Sequence, residues 1–269
     1  MPARAAYDVP KSWTRPIAPF RVIDGIYYVG TEGLAAYLIV SDGAAALIDG
    51  TMAENVPAIE ANIRRLGFRP DQIRILLNTH AHFDHAAGLA RLKQDTGASL
   101  LAREPDVQAL EEGRHIARNV NGQTTMPSVA VDGVIRDGET VPVGRLTLEV
   151  IATPGHTAGC TSFAVDVTER GRTFHVLMPC SLTVAGNVLP DNPTYPDIVT
   201  DFRRTFDRLA KEKADIVLTA HPEIADVLGR ARRRDAGEAD AFVDPALLGR
   251  LVVDARAAFE RELAEAQAR

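Results

Sequence analysis

Residues Thr79 to His85 read Thr-His-Ala-His-Phe-Asp-His, which puts four metal-capable side chains within six residues, directly after the apolar run Ile73-Arg74-Ile75-Leu76-Leu77. A buried strand ending in this cluster delivers three imidazoles and a carboxylate to one spot. Each buried ring carries two nitrogens that need partners, so the cluster is a poor core filler, whereas neutral imidazoles are good ligands for a borderline cation such as zinc. The segment cannot hold a metal alone. The fold must therefore bring further ligands to the end of strand 73–77.

Two later segments supply them. The alternating run 145–151 leads into Thr153-Pro154-Gly155-His156, and the short run 216–218 leads into Thr219-Ala220-His221-Pro222. In layered α/β folds the ends of neighbouring strands converge on one edge, where ligands bind. His80, His82, Asp84, His85, His156 and His221 are accordingly expected in one constellation, leaving two of the seven histidines outside it. His115, in a polar loop, is expected to be solvated. His175, within a hairpin strand, is expected at a surface or otherwise satisfied position.

The rest of the chain alternates strand-like and helical runs. Residues 21–29, 35–40 and 45–48 are short β-type runs punctuated by glycine, which predicts an opening antiparallel sheet. Val56, Ile59, Ile63 and Leu66 have helical spacing, and Gly67 follows as a stop. Helices are also expected at 86–93, 105–112, 197–209 and 246–266, the last with Asp244 as N-cap and Pro245 at N1. Strands are expected at 99–102, 161–167 and 173–178, the last two forming a hairpin around Glu169-Arg170-Gly171-Arg172. Gly113 to Pro127 lacks periodicity and reads as a long loop of the kind that often covers binding sites. The fold class is α/β, with residues 1–20 as an N-terminal arm and 21–269 as one domain. Trp13 and Phe20 are expected to pack that arm, without a functional role.

Composition narrows the possibilities. The net charge of −6 and one short basic cluster, Arg230 to Arg234, argue against a nucleic-acid partner. No apolar run approaches the roughly 20 residues a membrane span needs. Met1-Pro2-Ala3-Arg4 opens no signal-like apolar stretch. With only Cys160 and Cys180, a zinc site made of four cysteines is excluded. Each cysteine is about ten residues from Arg170, so the hairpin sets them nearly opposite each other, within disulfide reach. A disulfide, two buried thiols and a metal-ligand role for Cys180 all stay open.

The chain resembles the metallo-β-lactamase superfamily, whose hallmark is His-x-His-x-Asp-His followed by two later histidines, over about residues 20–225. That resemblance implies an αββα sandwich with two zinc ions in a cleft at one edge of the two sheets. By position, one zinc would be held by His80, His82 and His156, the other by Asp84, His85 and His221. Thioesterases and lactonases of the superfamily bridge their metals with an aspartate after the next strand, where this chain has Met178-Pro179-Cys180-Ser181. With His85 present and that aspartate absent, the pattern is similar to subclass B3. Gly155 to Ser162, Ser181-Leu182-Thr183 and Asn192-Pro193-Thr194-Tyr195-Pro196 also look like B3 segments. Ser181 and Thr183 map onto hydroxyls that bind the substrate carboxylate, and Asn187 onto a position near the oxyanion.

The resemblance implies a periplasmic hydrolase that opens the lactam amide of β-lactam antibiotics with a metal-bound hydroxide, Asp84 orienting the nucleophile, and a monomer is expected. Zinc ions about 3.5–4 Å apart make a separate general base unnecessary. A lactonase or thioester hydrolase is the enzymatic alternative, and a metal-binding or redox domain without hydrolase activity the non-enzymatic one. Asp49 and Thr79 are expected to accept from ligand histidines, although Asp49 also suits a turn before Gly50. Leu34, Phe83 and the 113–127 loop are expected to wall the pocket.

Overall fold

The computed structural model describes residues 9–120 and 124–268, so Met1 to Arg4, and Asn121 and Gly122 of the long loop, lie outside the described residues. Seven strands form one sheet in the order β1 (Phe20–Ile23), β2 (Ile26–Tyr28), β3 (Tyr37–Ser41), β4 (Ala44–Ile48), β5 (Ile73–Leu77), β6 (Ser99–Arg103) and β7 (Gly133–Ile135). Between them run the helices α1 (Val56–Arg65), α2 (Phe83–Ala86), α3 (Leu89–Thr96) and α4 (Glu104–Glu112). β8 (Thr140–Val143), β9 (Leu146–Ala152), β10 (Thr161–Glu169), β11 (Arg172–Met178) and β12 (Ile216–Val217) form the second sheet, with α5 (Ile198–Leu209), α6 (Val227–Asp235) and α7 (Leu247–Gln267).

β1 to β4 pair antiparallel, whereas β4, β5, β6 and β7 pair in parallel, each crossover passing through a helix. The central strands are apolar on both faces because both are covered. In β4, Ala46 and Ile48 join the core shared with the second sheet, while Ala45 and Leu47 pack with α1, α3 and α4. Phe202 and Phe206 of α5 stack on each other and pack at a tilt against Phe259 of α7, which joins the two helices covering the second sheet. Helices thus flank two facing sheets, the αββα arrangement that the family resemblance implies. No described helix is long and apolar enough to cross a membrane.

Three details depart from expectation. β7, β8 and α6 are additions to the predicted elements. α7 starts after Ala246 as its N-cap, while Asp244 caps from just outside: its Oδ1 accepts from Ala246 N at 3.3 Å and its Oδ2 binds Arg230 and Arg250. The basic cluster is α6, where Arg230 is buried against Asp244 and Arg233 pairs with Asp226.

Hairpin β10–β11 brings Cys160 and Cys180 into a disulfide with Cα atoms 5.8 Å apart, which removes the free-thiol and metal-ligand readings of Cys180. A cross-link over 20 residues stabilises by restricting the unfolded chain, by about 3 kcal/mol. The Cys160→Ser/Cys180→Ser double variant is expected to lose about that much in urea unfolding. A midpoint indistinguishable from the parent's would refute the estimate.

Candidate metal centre

The parallel pairing of β4 with β5 sets Asp49 beside the start of the histidine segment. Its backbone N–H donates to Leu77 O, and its carboxylate accepts from Asn78 Nδ2 at 3.0 Å, Thr79 N at 2.7 Å and Thr79 Oγ1 at 2.6 Å. Asp49 is 2 % exposed and adopts a left-handed backbone with φ 63°. Thr51, two residues on, is left-handed too, a costly state for a β-branched residue. Asn55 Nδ2 and Gly88 N bond to Thr51 and hold it there. The turn reading of Asp49 is realised, whereas the expected bond from a ligand histidine is replaced by bonds from Asn78 and Thr79.

Thr79 Oγ1 spends its single hydrogen on the Asp49 carboxylate, so toward His80 Nδ1, 3.1 Å away, it accepts. The ring proton of His80 therefore sits on Nδ1 and leaves Nε2 bare. His156 is fixed in the same sense, because its Nδ1 lies 2.6 Å from the backbone oxygen of Thr183, which only accepts. The two bare Nε2 atoms face each other at 3.1 Å. Lone pairs at that distance repel unless a cation lies between them, and this chemistry fits a metal ion.

The ligand atoms of His80, His82 and His156 lie within 4.8 Å of one another, and those of Asp84, His85 and His221 do the same. In the second set Asp84 Oδ2 is 3.2 Å from His85 Nε2 and 3.4 Å from His221 Nε2. Asp49 Oδ2 stands 3.6 Å from His85 Nδ1, outside hydrogen-bond range, so it acts on that ring through its charge. His221 is held from the first sheet, where Tyr37 Oη donates to Thr219 O and Ala35 N to Ala220 O.

Burial, followed by neighbouring imidazoles, pulls His80 and His82 well below the usual histidine range, and burial takes His156 down to about 4. These rings are neutral at pH 7, as ligands must be. For His85 burial acts downward, but the carboxylates of Asp84 and Asp49 push it up to about 10. Burial opposes the charge on Asp84, yet His85 and His221 hold it well below the carboxylate range. An ion entering the second set must displace a proton that one entering the first need not.

Both sets open into a cavity of about 220 Å³. His82, Asp84, His156 and His221 contribute to its wall, as do Trp13, Phe83, His115, Asn119, Thr124 and Thr183. Asp84 is the one carboxylate among these described lining residues. Ser181 Oγ is 3.1 Å from Thr183 Oγ1, but Ser181 faces an adjoining, mostly apolar cavity with Leu248 and Leu251. Asn187 is buried and does not line the site: its Nδ2 donates to His156 O, and its Oδ1 faces His115 Nε2 at 3.3 Å.

His115 overturns the expectation of solvation. It is 6 % exposed and its ring lies 4.4 Å from that of His82. The cause is main-chain pairing of its loop with 186–188, through Val120 N to Gly186 O and Val188 N to Arg118 O. Trp13 also belongs to the pocket, its ring 5.4 Å from His221, because Thr31 Oγ1 and Asn55 Nδ2 both donate to its carbonyl. Neither residue lies in a periodic segment, so no local signal marked it. Leu34 is fully buried core and does not wall the pocket, whereas Phe83 does. His175 is satisfied by Asp166 at 2.7 Å, as expected.

The chain is also similar to known proteins in sequence and fold. The family model for the metallo-beta-lactamase superfamily matches residues 30–221. The subclass B3 metallo-beta-lactamase BJP-1 of Bradyrhizobium japonicum is 39% identical, with a TM-score of 0.91 over 96% of this chain and 98% of that one. Native FEZ-1 of Legionella gormanii is 34% identical, with a TM-score of 0.90 over 94% and 98% of the two chains. Among curated relatives, a hydroxyacylglutathione hydrolase of Brucella anthropi is 30% identical over 126 residues, 47% of this chain and 40% of that protein. A probable metallo-hydrolase of Burkholderia pseudomallei is 30% identical over 48% of this chain and 47% of its own length. The matches span less than half of these two curated relatives.

Removing the Thr79 hydroxyl breaks the relay from Asp49 to His80 without touching a ligand atom. Thr79→Val is expected to weaken metal binding about 10- to 100-fold, measured by competition with a chelator. Unchanged affinity would show that the relay does not orient the ring.

Proposed function

Because the chain belongs to the metallo-β-lactamase superfamily and is a hydrolase, we propose that it is a dizinc β-lactamase resembling subclass B3. One zinc would sit among His80, His82 and His156 and the other among Asp84, His85 and His221, all-nitrogen and nitrogen-with-carboxylate sets that suit this ion. Bound there, the ions would polarise the lactam carbonyl and activate water for attack at neutral pH.

The protein's own residues do the remainder. Asp84, held ionised, orients the water and can carry its proton toward the departing nitrogen. The hydroxyl of Thr183 anchors the substrate carboxylate from the cavity wall, and Ser181 Oγ, 3.1 Å from it, joins from the adjoining cavity that Thr183 and His221 also line. Thr183 does this while its backbone oxygen holds His156, which ties substrate anchorage to a metal ligand. Trp13 and Phe83 give the substrate an apolar wall. Asn187 acts behind His115 and the His156 carbonyl, as a positioning residue in place of the expected oxyanion contact.

The observation that carries the lactam reading over the thioester one is the wall of the cavity, where Asp84 is the only described carboxylate and position 180 is locked in a disulfide. The curated hydroxyacylglutathione hydrolases keep the thioester reading as the alternative. We further propose a monomer acting in the periplasm on a small-molecule substrate, with which an oxidised cysteine pair is consistent.

A carbapenem, a lactone and a hydroxyacyl thioester, each assayed with and without chelator, distinguish these readings. Chelator-sensitive lactam turnover is expected, and thioester or lactone turnover without lactam turnover would overturn the proposal. Ser181→Ala and Thr183→Val are each expected to raise KM for the lactam about tenfold with a smaller effect on kcat, the loss of one hydrogen bond to a charged group. An unchanged KM in both would remove the carboxylate assignment.

A further inference from the structure

Asp106, in the first turn of α4, is 4 % exposed and lies outside the donor sets, yet three hydrogen bonds converge on its carboxylate. Oδ2 accepts from Ala81 N and Thr157 Oγ1, both at 2.9 Å, and Oδ1 accepts from Gly159 N at 2.9 Å. Ala81 lies between His80 and His82, and Thr157 directly follows His156. One carboxylate therefore grips the chain at all three members of the first donor set. The two gripped segments come from different sheets, one leaving β5 and the other joining β9 to β10.

The neighbourhood is built for this contact. A Cβ on residue 159 would lie 2.4 Å from the Asp106 carboxyl carbon, so only glycine lets the loop approach. Arg103, at the end of β6, reaches the same loop through Ala158 O and Cys160 O at 3.4 and 3.3 Å. No comparable bond runs from Asp106 to Asp84, His85 or His221 among the described contacts.

We propose that Asp106 is a positioning residue for the first metal site alone, setting the separation of His80 and His82 from His156. The inference rests on reading the two donor sets as metal sites. Losing the buckle frees the His156 loop from the His80–His82 segment and lowers affinity for one ion, while the second set keeps its own supports in Asp49 and the Thr219 loop.

The test titrates zinc into metal-free protein against a chromophoric chelator and reads two binding constants. Asp106→Asn is expected to weaken one ion about 10- to 100-fold and leave the other within about twofold, in line with the effect of residues that orient ligands. Thr157→Val removes one of the three bonds and should give a smaller loss of the same ion, whereas Thr157→Ser keeps the hydroxyl and should bind as the parent does. Cobalt in place of zinc reports, through its absorption bands, whether the first site's geometry has changed. Equal loss at both sites, or loss at neither with folding intact by circular dichroism, would overturn the inference. If the parent itself takes up fewer than two ions, the dizinc reading fails instead. Should Asp106→Asn not fold, the Thr157 pair decides alone: matching affinities for valine and serine would refute the buckle.

Discussion

Two imidazole nitrogens that must both act as acceptors face each other 3.1 Å apart, and much of the structure serves to keep them there. The arrangement is unfavourable without a cation, so its supports must hold both rings against repulsion. For His80 the support is the chain from its Nδ1 through the Thr79 hydroxyl to the Asp49 carboxylate. For His156 it is a main-chain oxygen, at Thr183. Strain at Asp49 and Thr51 is tolerated in the same place, consistent with a segment shaped for the site at some cost in local conformation.

The fold makes these contacts inexpensive to assemble. Parallel pairing of β4 and β5 aligns Asp49 with Asn78 and Thr79, and the facing sheet delivers His156, Thr183 and His221 from the same ends of its strands. Each donor rides on a loop anchored to a rigid strand, which gives precision while leaving the cavity open. The loops are then tied to one another across the sheets, by Tyr37 to Thr219 O and by Thr161 N to Thr79 O. The same layout couples chemistry to recognition, since Thr183 both lines the cavity and holds a donor ring.

Much of this was legible in the sequence because the features concerned are local. Histidines at 80, 82 and 85 follow an apolar strand, and the later histidines follow strands of their own, so strand ends alone predict their convergence. Asp49 was readable for the same reason. The opposed cysteines followed from hairpin register. What escaped depends on contacts between segments far apart. His115 lies in an aperiodic loop and becomes buried only by pairing with 186–188, and Trp13 enters the pocket because Thr31 and Asn55 hold its carbonyl. Asn187 maps near the oxyanion by resemblance alone, but its amide is committed at both ends. α6 was read as a charge cluster because four of its nine residues are arginine, and the ion pair that lets Arg230 be buried lies fourteen residues away at Asp244.

Each of the two donor sets is expected to hold one ion, and anomalous scattering from a zinc-loaded crystal tests that most directly. Two peaks about 3.5–4 Å apart are expected, one among His80, His82 and His156 and one among Asp84, His85 and His221. A single peak, or peaks away from these six residues, would contradict it.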